Sequence, residues 1–230
     1  MLFNHYGRSQ SVKKIKMNEA IATISSLPVM EHFYTLQGEG YHQGRAAYFI
    51  RLGGCDVGCV WCDVKESWDA DAHPKKTIDE IVQLVMQNSA PVRPGKKGGL
   101  VVITGGEPLM HDLTELTAAL KAKGFETNIE TSGAHPLSGV WDWICLSPKK
   151  FKAPLPQVVP FANELKVVIF NQSDFKWAEQ YAAMVSPQCK LFLQPEWDKA
   201  PVVTPLIIEY IKMHPQWELS LQIHKYINVP

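Results

Sequence analysis

The residues best suited to chemistry in this sequence are three closely spaced cysteines. Cys55, Cys59 and Cys62 form the pattern Cys-x3-Cys-x2-Cys, and the remaining two of the five cysteines, Cys145 and Cys189, lie far from them. A structural zinc site or a fully ligated four-iron cluster uses four protein ligands. Three thiolates this close can hold a cubane cluster and leave one iron open, where a small molecule can bind.

Glycines surround the three cysteines. Gly53, Gly54 and Gly58 allow the chain to curl around a cluster and to direct backbone N–H groups towards its sulfides. Trp61 is placed to shield one face from water. Two other interpretations remain open, namely a zinc site completed by a remote histidine and three free thiols.

The composition indicates an ordinary globular protein. The chain has 230 residues, 46% of them hydrophobic, and its Lys+Arg and Asp+Glu counts are both 23. The zero net charge does not favour a nucleic-acid surface, and no apolar run approaches the ~20 residues of a membrane-spanning helix. We expect residues 1–28 to form an N-terminal extension and residues 29–230 to form a single catalytic domain. Five cysteines in 230 residues are unlike a short, cysteine-dense disulfide scaffold, so we expect a reducing cytoplasm.

Strand-like and helix-like segments alternate along the chain. The predicted strands are 47–52, 100–104, 125–131, 143–147, 165–170, 191–194 and 219–223. The predicted helices are 77–88, which starts with a Thr77–Glu80 capping box, 112–123, with Gly124 just past its end, 174–185 and one that begins at Thr204-Pro205. Such alternation is typical of an α/β fold with mostly parallel strands, wound into an incomplete (β/α) barrel.

Polar and glycine-rich motifs follow these predicted strands. Ligands of such sheets bind at the carboxyl ends of the strands. We therefore expect the motifs to meet at one edge, beside the cysteine loop. They are Gly105-Gly106-Glu107, Thr131-Ser132-Gly133, Ser147-Pro148-Lys149 and Gln194-Pro195.

The cysteine spacing, with an aromatic residue before Cys62, resembles the signature of radical S-adenosylmethionine enzymes. The resemblance implies a [4Fe–4S] cluster on Cys55, Cys59 and Cys62, with S-adenosylmethionine (SAM) chelating the fourth iron. One electron then cleaves the sulfonium to give a 5′-deoxyadenosyl radical, which abstracts hydrogen from unactivated C–H bonds. The resemblance also implies a set of cofactor-binding residues: Gly106, Glu107, Ser132, Ser147, Pro148, Lys149 and Gln194.

Further motifs lie outside the cysteine loop, namely Leu36-Gln37-Gly38-Glu39-Gly40, Arg51, His224-Lys225-Tyr226 and an ending at Pro230. With these motifs, the chain from about residue 30 to the end resembles the 7-carboxy-7-deazaguanine synthase family. The resemblance implies a radical SAM lyase of queuosine biosynthesis, which converts 6-carboxy-5,6,7,8-tetrahydropterin to 7-carboxy-7-deazaguanine with loss of ammonia. The implied substrate-binding residues are Leu36, Gln37, Gly38, Glu39, Arg51, Thr104, His224 and Pro230.

One position departs from the pattern of that family. The family often has Thr or Ser two positions after the last cysteine, where its hydroxyl binds Mg2+. Here that position is Val64, which has no side-chain oxygen, with Asp63 adjacent and Ser67 nearby. The resemblance implies Mg2+, which prefers oxygen ligands, but Val64 provides no side-chain ligand for it at this position.

Two other functions compete with the lyase. A glycyl-radical-enzyme activase shares the cysteine spacing and the Gly-Gly-Glu segment, but it would need a groove for a protein partner. A zinc-stabilised binding module would use the cysteines for structure alone. For the lyase, the resemblance implies a small-molecule pterin substrate, an external flavodoxin-like one-electron donor and a homodimer, with no nucleic-acid or membrane partner.

Overall fold

The computed structural model describes residues 25–90 and 98–230. Its strands are β1 Ser26–Leu36, β2 Ala46–Leu52, β3 Lys75–Thr77, β4 Leu100–Gly105, β5 Glu126–Thr131, β6 Trp143–Leu146, β7 Glu164–Ile169, β8 Lys190–Pro195 and β9 Trp217–Leu219. Its α-helices are α1 Ile78–Asn88, α2 Thr114–Ala122, α3 Ser173–Ala182, α4 Ala200–Met213 and α5 Ile223–Ile227.

The strands form one mostly parallel sheet that does not close. Within the described residues, the order is β3-β1-β2-β4-β5-β6-β7-β8-β9. Strands β2 and β4–β9 pair in parallel, whereas β1 is antiparallel to both β2 and β3. The two sides of the open sheet approach one another, because Gly40 N donates to Ser220 Oγ at 3.0 Å and Ile223 N donates to Gly38 O at 3.0 Å. The predicted incomplete α/β barrel is confirmed.

Apolar side chains of the strands and helices form two main clusters. One lies between α1, α2 and the strands around β4, and it includes Ile103 and Leu116, which are fully buried. The other lies between α3, α4 and the strands around β7, and it includes Leu193 and Ile207. Burial of such side chains stabilises each by roughly 1.5–3 kcal/mol, so these clusters hold the strands in register and fix where the strands end.

Sequence signals at two helix ends operate as expected. Thr77 and Glu80 form a capping box at the start of α1, each side chain bonding the other's backbone N–H. Gly124, just after α2, has φ of +85°, a conformation that favours glycine.

Two predicted elements at the carboxyl end of the chain are wrong. The last helix begins at Ala200 rather than at Thr204-Pro205, since Pro201 occupies the first turn and Pro205 lies inside the helix. The last strand is Trp217–Leu219 rather than 219–223, and Ile223–Ile227 is helical. Short apolar runs do not distinguish strand from helix by periodicity.

The amino-terminal prediction is partly outside the described residues. Strand β1 begins at Ser26 and pairs with β3 through Ser26–Pro28, so residues 26–28 belong to the sheet rather than to an extension. The prediction for residues 1–24 lies outside the described part of the chain. No helix in the described part has the length and apolar character to cross a membrane.

Candidate active site

A cavity of about 240 Å³ opens at the carboxyl ends of the parallel strands. The strand-end motifs therefore meet as the topology requires. Of the residues singled out in the sequence, the cavity lining includes Glu39, Arg51, Cys55, Cys59, Cys62, Val64, Thr104, Gly106, Glu107, Ser132, Ser147, Lys149 and Gln194.

The cysteine loop forms one wall of this cavity. All five cysteines are free, and the three in the loop pack against a small apolar cluster of Val57, Ala134 and Trp61. Burial raises the pKa of the Cys59 thiol to about 11. Burial also raises the pKa of Cys55, against hydrogen bonds from the backbone at Val57 and Gly58.

This loop fits an iron–sulfur cluster by its donors and its backbone. Three soft thiols face one partly dry cavity, and backbone N–H groups already point at the Cys55 sulfur. Gly54 and Gly58 adopt φ of +103° and +73°, so the curl around the thiols requires glycine at these positions. Across residues 25–90 and 98–230, no three His, Cys, Asp or Glu side chains are arranged to hold a single metal ion.

The turn after β4 lies directly against the cysteine loop. A Cβ at Gly106 would stand 2.2 Å from Gly54 O and 2.8 Å from Cys55 Cβ, so only glycine allows this approach. The next residue, Glu107, is buried and accepts four hydrogen bonds. Its oxygens accept from Leu109 N at 3.0 Å, Thr131 Oγ1 at 2.5 Å, Ser132 N at 2.8 Å and Ser132 Oγ at 2.5 Å. Glu107 thus joins the turns after β4 and β5.

Ser147 and Lys149 line the cavity after β6, next to the cysteine loop. Lys149 Nζ donates to Ser147 Oγ at 2.5 Å and lies 5.3 Å from the centre of the Trp61 ring. Burial lowers the pKa of Lys149. Pro148, between them, lines a different surface depression and not this cavity.

Arg51 and Thr104 also line the cavity, as register partners on β2 and β4, the strands that lead into the cysteine loop and the Gly105-Gly106 turn. Arg51 Nε lies 2.9 Å from Glu31 Oε1, and its guanidinium is 5.7 Å from the centre of the Phe33 ring. A guanidinium carries five N–H donors, so one carboxylate does not exhaust it. The pair can therefore present cationic and hydroxyl donors to an anionic ligand.

A buried ion network lies at the base of the cavity, and its centre is a residue that the sequence reasoning missed. Lys166 Nζ bonds Glu39 Oε2 at 2.5 Å and Glu130 Oε2 at 2.7 Å. Gln37 and Gln222 donate to the other oxygens of Glu130 and Glu39, at 3.0 and 2.8 Å. Gln37 therefore lies behind the cavity wall. The sequence does contain a signal for Lys166, because a lysine within the mostly apolar strand Glu164-Leu-Lys-Val-Val-Ile169 is unusual.

The segments around Gly38 and His224 contact one another. The resemblance implies that both segments bind the substrate. A Cβ at Gly38 would stand 2.0 Å from His224 Nδ1, so the two residues are in close contact beside the cavity rather than in its lining. Lys225 Nζ, next along α5, lies 3.0 Å from Asp63 Oδ2 and over the Trp197 ring. Leu36 and Pro230 are exposed and do not line the cavity.

The residues near Val64 do not reproduce the magnesium ligand of the family pattern. Val64 lines the cavity without a side-chain oxygen, and its carbonyl accepts from both Ser67 N at 3.1 Å and Ser67 Oγ at 2.6 Å. Asp63 is paired with Lys225. No chemical step is therefore assigned to Mg2+ here.

Comparison with known proteins agrees with this geometry. The family model described as "Radical SAM superfamily" matches residues 49–146. A 7-carboxy-7-deazaguanine synthase of Flavobacterium psychrophilum is 54% identical over 204 residues, covering 89% of this chain and 93% of that protein. One of Synechocystis is 50% identical, covering 89% and 94%. The crystal structure of QueE from Escherichia coli matches with a TM-score of 0.73 at 32% identity, covering 85% of this chain and 93% of that one. The chain belongs to the 7-carboxy-7-deazaguanine synthase family, within the radical SAM superfamily.

Proposed function

We propose that this protein is a radical SAM lyase that converts 6-carboxy-5,6,7,8-tetrahydropterin to 7-carboxy-7-deazaguanine with loss of ammonia, in queuosine biosynthesis. Relatives named 7-carboxy-7-deazaguanine synthase match most of the chain. The observation that carries the proposal is that one cavity is lined by the three thiols, the Gly106-Glu107 turn, Arg51 and the carboxylate of Glu39.

The cysteine side of the cavity suits the metal cofactor and SAM. Radical SAM enzymes use a [4Fe–4S] cluster and SAM, and Cys55, Cys59 and Cys62 would hold that cluster. When bound, the pair supplies the one-electron chemistry that starts hydrogen abstraction. Gly106, Ser147, Lys149 and Gln194 line the same cavity as these thiols and would bind the cofactor's polar groups.

A second group of residues around this cavity suits the substrate. Arg51 would pair with the substrate carboxylate, because a guanidinium matches carboxylate geometry. Thr104 adds a hydroxyl next to Arg51. Glu39 would accept from the N–H groups of the flat pterin edge, and Gln37, Gly38 and His224 would support it from behind. We retain Leu36 and Pro230 as proposed contacts on the strength of the resemblance alone.

Incubation with the carboxytetrahydropterin, SAM and a one-electron reductant under anaerobic conditions tests this function. We expect a new deazapurine absorbance and the mass of 7-carboxy-7-deazaguanine. Cys59→Ala/Cys62→Ala should abolish the product, whereas Cys189→Ala, a buried thiol outside the loop, should retain it. A protein that carries its cluster and cleaves SAM, yet forms no deazapurine, would contradict the proposal and favour a glycyl-radical-enzyme activase.

The proposal also includes the electron donor, the cellular location and the oligomeric state. We expect a flavodoxin-like protein to deliver the electron. We also expect a cytoplasmic location, which the free thiols support, and a homodimer. Exposed apolar side chains on α4, such as Val202, Leu206 and Met213, support a surface for self-association. Light scattering on a sizing column distinguishes a dimer from a monomer. Mg2+ remains an expectation of the resemblance, and Val64 weighs against a side-chain ligand.

A further inference from the structure

The geometry points to Lys166 as a positioning residue for substrate recognition: its ammonium fixes the carboxylates of Glu39 and Glu130 towards the cavity, so that they read an N–H-rich edge of the ligand. This inference rests on the proposed function, since the pterin offers such an edge on its 2-amino-4-oxopyrimidine ring.

The ammonium is placed behind the carboxylates. The Lys166 side chain is 4% exposed, whereas the side chains of Glu39 and Glu130 are 17% and 18% exposed, and all three reach the cavity lining. Lys166 donates to one oxygen of each carboxylate. A ligand in the cavity therefore meets the carboxylates more readily than the ammonium.

The carboxylates retain acceptor capacity. Each receives one hydrogen bond from Lys166 and one from a glutamine, Gln222 for Glu39 and Gln37 for Glu130. Glu130 also bonds the Cys145 thiol. An ionised carboxylate has about four acceptor sites, so each carboxylate keeps at least one site for an N–H donor of a ligand.

The electrostatics favour donors over acceptors at this point of the cavity. Burial alone would raise the pKa of Glu39, but the Lys166 ammonium and its hydrogen bond outweigh burial and hold that pKa at about 2. Burial alone would lower the pKa of Lys166, and the neighbouring acidic groups raise it well above its ordinary value instead. Two carboxylates around one ammonium leave a net negative charge, which suits a ligand edge made of N–H groups and disfavours one made of carbonyl oxygens.

The arrangement is rigid because distant segments converge on it. Glu39 follows β1, Glu130 lies on β5, Lys166 on β7 and Gln222 after β9. Glu39 N also donates to Gln37 Oε1 at 3.2 Å, which links the two carboxylates through one glutamine. Removal of the central cation would leave the two neighbouring carboxylates to repel one another.

The test is steady-state kinetics of Lys166→Met in the reconstituted holoenzyme, with Lys212→Met, an exposed lysine on α4, as the matched control. We expect the KM for the carboxytetrahydropterin to rise about 10- to 100-fold, the range for loss of charge-assisted hydrogen bonds. The KM for SAM and the rate of SAM cleavage without pterin should change less than about twofold. The control should match the wild type in every constant.

A specificity readout separates recognition from general damage. The lumazine analogue carries an oxygen in place of the 2-amino group, so it retains the N3–H donor but presents a carbonyl acceptor where the pterin presents the 2-amino donors. The wild type should prefer the pterin over this analogue, and Lys166→Met should lose most of that preference. Three results for Lys166→Met would overturn the inference. They are an unchanged KM for the pterin, an equal rise in the KM values for the pterin and for SAM, and a preference for the pterin over the lumazine analogue equal to that of the wild type.

A second variant covers the case in which Lys166→Met does not fold. Lys166→Met/Glu130→Gln removes one charge of each sign, so the network keeps the net charge of the wild type and only the Glu39 carboxylate remains charged. If this double variant folds and still shows a selectively raised KM for the pterin, the inference holds. If its KM and preference are those of the wild type, Lys166 only balances charge. Failure of the wild type itself to turn over the pterin would instead reject the proposed function.

Discussion

The carboxylate of Glu107 accepts two hydrogen bonds from Ser132, one from the backbone N–H at 2.8 Å and one from the hydroxyl at 2.5 Å. Its other oxygen accepts from Thr131 Oγ1 and Leu109 N. All four partners are donors, so the buried acid holds the turns after β4 and β5 together next to the cysteine loop. A cofactor amine at this acid would have to share these acceptor sites.

Glu107→Gln is therefore expected to damage the cofactor side of the cavity. The amide would bring an N–H group against backbone and hydroxyl donors, and a lost hydrogen bond to a charged group costs about 1.5–3 kcal/mol. We expect a lower unfolding midpoint in urea and a KM for SAM raised more than in Ser132→Ala, which removes one donor. Equal effects of the two variants would contradict this role of Glu107.

Glu39 should give the protein a pH-dependent stability. Its pKa is about 2 in the folded chain against an ordinary 4.5, because the Lys166 ammonium overcomes the effect of burial. A lowered carboxyl pKa stabilises the fold above the ordinary pKa, and that stabilisation is lost as the pH falls from 4.5 towards 2.

The measurement is the free energy of unfolding in urea between pH 2.5 and pH 5, with metal-free protein. We expect Glu39→Gln to reduce the rise across this range by about 2 kcal/mol. Glu209→Gln, an exposed acid on α4, should keep the slope of the wild type. A Glu39→Gln slope equal to that of the wild type would show that the Lys166 pair does not lower the pKa of Glu39.

Gly38 should tolerate no side chain. A Cβ there would stand 2.0 Å from His224 Nδ1, so Gly38→Ala must displace α5 and its contacts with Asp63 and Trp197. We expect a pterin KM raised at least about tenfold with unchanged iron content. Gly99→Ala is the control, since a Cβ at Gly99 meets nothing within 4 Å. Equal kinetics for the two variants would contradict the contact.

Val64→Thr should restore an oxygen ligand where the family pattern has one. In the wild type the residues near Val64 do not fit a magnesium ion through a side chain at this position. We therefore expect the activity of the wild type to depend only weakly on added Mg2+, and that of Val64→Thr to rise with Mg2+ at lower concentrations. Titration of kcat/KM with Mg2+ in chelator-treated protein measures both. Identical titration curves would contradict this reading of Val64.

The sequence was most informative where a short segment determines its own geometry. The cysteine spacing, the glycines beside it and the strand-end motifs predicted the cavity wall, because parallel strands bring their carboxyl ends to one edge. The capping box at Thr77 and Glu80 predicted the start of α1 for the same local reason.

Local sequence signals do not predict contacts between residues that are far apart in the sequence. The hydrogen bond between Gln37 and Glu130 spans 93 residues in sequence, and Lys166 finds its partners on two other segments. Strand β1 carries Pro28 and mixed burial, so its antiparallel pairing with β2 has no clear local signature. The helix at Ile223–Ile227 depends on its packing against Gly38 rather than on periodicity.

The most direct test of the central claim is spectroscopy of the anaerobically reconstituted protein with and without SAM. We expect about four irons per chain, a reduced-cluster paramagnetic resonance signal that changes when SAM is added, and loss of both in Cys59→Ala/Cys62→Ala. Uptake of one zinc without iron, or a cluster signal that SAM leaves unchanged, would contradict an open iron site on these three cysteines.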